Sequence, residues 1–290
     1  MQYDITYIET NGIKLHVVMA GPKDGQPILL LHGFPEFWYG WRKQIPVLAE
    51  AGYRVIVPDL RGYNLSDKPK GVKSYRMQVL VADILGLIDA LGYQSVNLVG
   101  HDWGAMVGWV LAIQYPERLQ KLGILNAPHP DVMMRFLRRG DPEQLRRSWY
   151  FFPFQIPWLP EYLLRQNDWR RLVLALQGSS KIHSFTNEDI IEYKGAWSQP
   201  GAITAMLNWY RAARYIPALL KDTRVKVPTL LIWGMEDVAL SHRMARLSMD
   251  YCEEGKLVLF EDATHWVQHD EAENVTKLLL EFVEQAIEPA

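Results

Sequence analysis

The stretch that most constrains this chain is Leu98-Val99-Gly100-His101-Asp102-Trp103-Gly104-Ala105. Residues 95–99 read as a short buried strand and residues 106–114 carry apolar side chains at helical spacing, so Asp102 is expected on a strand-to-helix turn. Gly100 and Gly104 flank it on either side, where a sharp turn brings backbones close together and asks for dihedrals that a side chain opposes. A carboxylate held there projects from the C-terminal edge of a sheet, beside free helix amides that favour an anion. Two readings compete: an aspartate presented as a nucleophile in place of serine, and an N-cap aspartate opening an ordinary helix.

Periodicity organises the rest. Strand-like segments at 5–9 and 13–18 join across Asn11-Gly12, a dipeptide suited to a tight hairpin. Further strands are expected at 27–31, 54–57, 121–125, 229–233 and 256–260. Helical spacing appears at 41–51, 74–91, from 241, and at 271–287. Between 129 and 222 the alternation stops; helix-compatible stretches rich in Arg, Trp, Tyr and Phe are broken by Pro153, Pro157 and Pro160. The expected fold is α/β, a mostly parallel sheet flanked by helices. Its core is read at 1–128 and 223–290, with a helical cap inserted at 129–222. Such sheets bind ligands at the carboxyl ends of their strands.

Composition narrows the function. A chain of 290 residues that is 49% hydrophobic can bury a large core. A net charge of −2 gives no basic surplus for a nucleic acid or an anionic membrane. The local cluster Arg135, Arg138, Arg139, Arg146 and Arg147 is read as solvated helix faces. The single cysteine, Cys252, excludes an internal disulfide and fits a reducing compartment. No basic stretch leads into an apolar run at the N-terminus, and no apolar segment reaches the ~18 residues of a membrane span. A soluble, cytoplasmic protein, monomeric or homodimeric, is the expectation.

A carboxylate nucleophile needs a base to undo the ester it forms, and the base needs an orienting partner. His265 follows the strand at 256–260, and Asp237 follows the strand at 229–233, with Glu236 as an adjacent alternative acid. Nucleophile, acid and histidine thus fall after successive strands in the order of α/β-hydrolases, which favours the catalytic reading of Asp102. The amides of Trp103, next to Asp102, and of Phe34 in His32-Gly33-Phe34-Pro35 can form an oxyanion hole. His32 and His101 are read as structural, and His16, His183, His242 and His269 show no pairing logic. No cluster has metal-ligand spacing and no glycine-rich phosphate loop occurs, so neither metal nor cofactor is expected.

With these residues in view, the chain resembles α/β-hydrolase-fold epoxide hydrolases of the soluble, bacterial-like type over nearly its whole length. The marks are His32-Gly33-Phe34-Pro35, Gly100-His101-Asp102-Trp103-Gly104, Asp237 and His265-Trp266. The resemblance implies that Tyr150 and Tyr210, in Trp149-Tyr150-Phe151-Phe152 and Trp209-Tyr210-Arg211, are the two cap tyrosines that donate to an epoxide oxygen. It also implies a hydrophobic epoxide and water as substrates, an alkyl ester on Asp102, and hydrolysis by water that His265 and Asp237 activate. Phe34, Trp103, Trp149, Phe151, Phe152, Trp209 and Trp266 are the expected substrate-binding residues, an apolar aromatic lining that suits hydrophobic or aryl epoxides. Two alternatives remain: a haloalkane or haloacid dehalogenase using the same aspartate, and a non-catalytic binding protein on the same fold. No Gly-x-Ser-x-Gly occurs, which disfavours an esterase or lipase.

Overall fold

Asn11 and Gly12 both take positive φ, 45° and 74°, the pair of left-handed residues that a tight hairpin turn needs. In the computed structural model, which describes residues 2–215 and 223–285, that turn joins β1 (Asp4–Thr10) to β2 (Ile13–Ala20) in antiparallel register. Six further strands follow: β3 (Pro27–Leu31), β4 (Arg54–Pro58), β5 (Val96–His101), β6 (Leu119–Leu125), β7 (Thr229–Gly234) and β8 (Gly255–Phe260). They form one sheet in the order β1-β2-β4-β3-β5-β6-β7-β8, parallel from β4 to β8. All eight strands expected from the sequence are present, and with their flanking helices they define an α/β-hydrolase fold.

The central strands are apolar throughout because both faces are covered. Ile28 and Leu30 face a core built with α1 (Gln44–Glu50) and α12 (Ala272–Glu284). Leu29 and Leu31 face the other core, with α2 (Met77–Ala90) and α3 (Trp103–Gln114). Between β6 and β7 the chain leaves the sheet as helices α4 (Pro130–Arg139), α5 (Pro142–Arg147), α6 (Phe151–Phe154), α7 (Leu159–Gln177), α8 (Asn187–Trp197) and α9 (Ala202–Ala212). Of the three prolines expected to break helices, Pro153 lies inside the short α6, Pro157 falls in the link between α6 and α7, and Pro160 sits in the first turn of α7. Helix α10 (Arg243–Met249) lies between β7 and β8, and α11 (Val267–Asp270) between β8 and α12.

The inserted helices are fastened to the core by buried hydrogen bonds. Trp197 Nε1 donates to Pro35 O (2.6 Å), Tyr193 OH to Glu36 Oε1 (2.7 Å), and Trp209 Nε1 to Arg61 O (2.9 Å). The expected cap end at 222 and last-helix end at 287 lie outside the described residues. Among the described residues no helix is long and apolar enough to cross a membrane.

Candidate active site

Strands β3 and β5 are neighbours in parallel register, Leu30 beside Val99 and Leu31 beside Gly100, so the loops after them emerge together. From β3 the chain passes to β4 on one side and then to β5 on the other; this topological switch opens a crevice at the strand ends. Asp102 projects there, and the Phe34 amide donates to its Oδ1 at 2.8 Å. The contact is that close because Gly33 has no side chain: a Cβ on it would lie 2.4 Å from Asp102 Cβ. A Cβ on Gly104 would meet Leu31 O at 2.4 Å, and one on Gly100 would meet Ala105 N at 2.6 Å.

The turn differs from the one expected. Neither Gly100 nor Gly104 has positive φ; the strained conformation falls on Asp102 itself, φ 50° and ψ −119°. The glycines serve close approach alone, and the backbone turn is made by the aspartate. Asp102 does occupy the N-cap position of α3, yet its side chain makes no capping hydrogen bond and is turned to Phe34. Trp103 is the first residue of α3, where helix amides lack intrahelical acceptors.

His265, in the loop after β8, places Nδ1 at 2.8 Å from Asp237 Oδ2 and Nε2 at 3.7 Å from Asp102 Oδ2. Asp237 is buried, whereas the Glu236 side chain is exposed. Asp237 is also saturated. Its Oδ2 accepts from Asn126 Nδ2 (2.8 Å) as well as the histidine, and its Oδ1 accepts from the amides of Ala239 (2.7 Å) and Leu240 (2.9 Å). Burial alone would raise its pKa, but His265 and these donors hold it below the usual carboxylate range. Burial disfavours the charged imidazole of His265, yet the Asp237 carboxylate and then Asp102 more than compensate, and its pKa is pushed up to about 9.

Aromatic side chains close the crevice. Tyr210 stands edge-on to Phe34 (5.2 Å between centroids), Trp103 (5.2 Å) and Phe151 (4.9 Å); Tyr150 lies 5.9 Å from Tyr210. Burial and the Asp102 charge raise both phenols well above their ordinary pKa, so both hold their protons at neutral pH. Tyr150 is partly buried. Trp209 packs behind Trp103 at 6.0 Å, and Trp266 lies 5.0 Å from the His265 ring. Trp149 and Phe152 do not join this group; both side chains are exposed on the outside of the insertion.

Several neighbours escaped the sequence reading. Asn126, at positive φ after β6, anchors Asp237; its only signal was an asparagine at a strand end. Phe154 completes the aromatic wall, 5.1 Å from Tyr210 and 5.8 Å from Phe34. Glu36 is fully buried beneath the site and accepts from His269 Nε2 (2.7 Å), Tyr193 OH (2.7 Å) and Gln268 Nε2 (2.9 Å). His269 therefore does pair, and so does His16, with Asp59 at 2.7 Å. His32 and His101 bond backbone, as read: His32 Nε2 accepts from Leu60 N at 3.0 Å, and His101 Nε2 donates to His265 O at 2.8 Å. Among the described residues no group of three or more His, Cys, Asp or Glu side chains could hold a metal ion.

A carboxylate on a strand-to-helix turn, an acid-bound histidine beside it and a mostly parallel eight-stranded sheet define a protein of the α/β-hydrolase fold, and residues 26–272 match the family of that description. The chain belongs, more narrowly, to the epoxide hydrolases of this fold. It is 39% identical over 284 residues to Epoxide hydrolase 4 of Homo sapiens, covering 96% of this chain and 78% of that one. It is 49% identical over 277 residues to AB hydrolase superfamily protein YfhM of Bacillus subtilis, covering 96% of each. A crystal structure of a Bacillus megaterium epoxide hydrolase in complex with an inhibitor superposes with a TM-score of 0.88 at 34% identity, covering 97% of this chain and all of that one.

Proposed function

We propose that this chain hydrolyses epoxides on hydrophobic or aryl groups to vicinal diols through an alkyl ester on Asp102. The observation that carries the reading is one carboxylate set between two kinds of partner: a histidine bound to its acid, and a pair of tyrosines, Tyr210 edge-on to Phe34 and Trp103 with Tyr150 beside it.

An Asp102 oxygen attacks an epoxide carbon, forming one C–O bond as the ring C–O bond breaks. The alkoxide takes a proton from Tyr150 or Tyr210. The ester now lacks the Asp102 charge that helped hold the His265 proton, so the imidazolium gives that proton up and the phenol is restored. Neutral His265, oriented by Asp237, then deprotonates a water that attacks the ester carbonyl, while the amides of Phe34 and Trp103 receive the oxyanion. Collapse releases the diol and returns Asp102 as carboxylate and His265 as imidazolium. Each cycle closes without net proton uptake.

Two phenols that hold their protons suit a leaving alkoxide, which must be protonated, and weigh against a dehalogenase, whose leaving halide takes no proton. Incubation with styrene oxide should yield phenylethanediol, and 1-bromohexane should release no bromide at a comparable rate. Halide release that outruns diol formation would transfer the site to the dehalogenases.

A further inference from the structure

The run from α5 through α6 is apolar on two opposite sides. Its backbone winds almost continuously, with bonds from Ser148 N to Gln144 O (2.8 Å), Phe154 N to Tyr150 O (3.2 Å) and Ile156 N to Pro153 O (3.1 Å). One side carries Tyr150, Phe151 and Phe154 into the aromatic wall of the candidate site. The other carries Leu145, Trp149, Phe152 and Ile156 at helical spacing, and all four are exposed, Trp149 by 66% and Phe152 by 69%. Trp158 (72% exposed) and Tyr162 (57%) extend the same outward surface into the start of α7. A surface helix ordinarily turns polar residues to water on that side, and an exposed apolar patch of this make-up marks an interaction surface.

Charge identifies the partner. The net charge of −2 conceals a local excess: from Asp131 to Arg171 there are eight arginines against five carboxylates. Four of the five already face cations, Asp141 and Glu143 facing Arg243, Glu161 facing Arg211, and Asp168 facing Lys194. Arg138, Arg139, Arg146 and Arg165 are exposed and, among the described residues, pair with no carboxylate. Two-fold pairing with a second copy would set this apolar surface, and the arginines beside it, against themselves and bring like charges together. Exposed Trp, Phe, Ile and Tyr on a run that also carries exposed arginines, Arg146 next to Leu145 and Arg165 three residues after Tyr162, match an anionic lipid surface, where aromatic side chains enter the headgroup boundary and cations meet phosphates. We propose that this outer face of the insertion is a docking surface for an anionic phospholipid membrane, on which the chain sits peripherally.

The test is flotation of the full chain with vesicles of phosphatidylcholine and phosphatidylglycerol, and with vesicles of phosphatidylcholine alone. The proposal requires binding to the anionic vesicles that weakens as salt rises and is far weaker on the neutral ones. A Leu145→Ser/Ile156→Ser/Trp158→Ser variant and an Arg138→Gln/Arg139→Gln/Arg146→Gln variant should each lower the partition coefficient by about tenfold or more. Far-ultraviolet circular dichroism and melting temperature establish that both remain folded; if either does not, Trp158→Ser and Arg146→Gln alone serve, with a smaller loss in the same direction. Absence of binding, or binding that the folded variants leave unchanged, overturns the proposal. So does a dimer in sedimentation equilibrium that the serine substitutions dissolve, since a second copy would then own the surface.

Discussion

His265 Nε2 stands 3.7 Å from Asp102 Oδ2, inside ion-pair range and beyond hydrogen-bond reach. The ring is anchored from its far side, by Asp237 at 2.8 Å, so it keeps its place whether or not Asp102 is charged. A base held independently of the nucleophile can act after that nucleophile has been consumed.

Replacing His265 with Gln should therefore separate the two half-reactions. Alkylation needs Asp102 and a phenol, so it should continue, while ester hydrolysis stops for want of a base. Intact-protein mass after exposure to styrene oxide should rise by one substrate and stay there. A variant that neither turns over nor gains mass would remove His265 from the role of hydrolytic base.

The raised pKa of His265 also ties stability to pH. A group whose folded pKa lies above its unfolded value stabilises the fold in its protonated form. Its contribution is complete below the ordinary value of 6.5 and is lost as pH rises through about 9. Wild-type unfolding free energy should fall across that window by on the order of 3 kcal/mol more than that of His265→Gln. Parallel stability curves for the two proteins would contradict it.

Tyr150→Phe and Tyr210→Phe should each slow single-turnover ester formation, and the double variant should be much worse than either. Two donors share one developing alkoxide, so the survivor still protonates it; positioned acid assistance is worth about 10²–10⁴ in rate. Unchanged alkylation in the double variant would exclude these phenols from ring opening.

Gly33→Ala probes the fold of the site. The added methyl would lie 2.4 Å from Asp102 Cβ and 2.5 Å from its Oδ1, so the two loops must move apart. Overpacking of this kind costs about 1–3 kcal/mol, read as a lower midpoint in urea unfolding, and ester formation should fall with it. An alanine variant with wild-type midpoint and rate would mean that the loops are not held as closely as described.

The sheet was legible because buried parallel strands are uniformly apolar and the Asn11-Gly12 hairpin has one economical conformation. The elbow is legible from its glycines, which permit close approach, while the left-handed turn belongs to Asp102. What escaped was side-chain pairing across long sequence separations. Asn126 meets Asp237 over 111 positions and Glu36 meets His269 over 233, distances at which periodicity carries no signal. The outward turn of Trp149 and Phe152 escaped for a related reason. Apolar identity predicts burial, and the sequence does not say which side of a two-sided apolar helix already has a partner.

The ester on Asp102 is the central claim, and a single turnover in water labelled with heavy oxygen tests it most directly. With enzyme in excess over epoxide, the oxygen entering the first diol should come from the Asp102 carboxylate. Solvent oxygen should then replace it when the ester is cleaved at its carbonyl. The account predicts a largely unlabelled diol and a labelled peptide containing Asp102. A labelled diol with an unlabelled peptide would mean that water attacks the epoxide directly, and the covalent mechanism would fall.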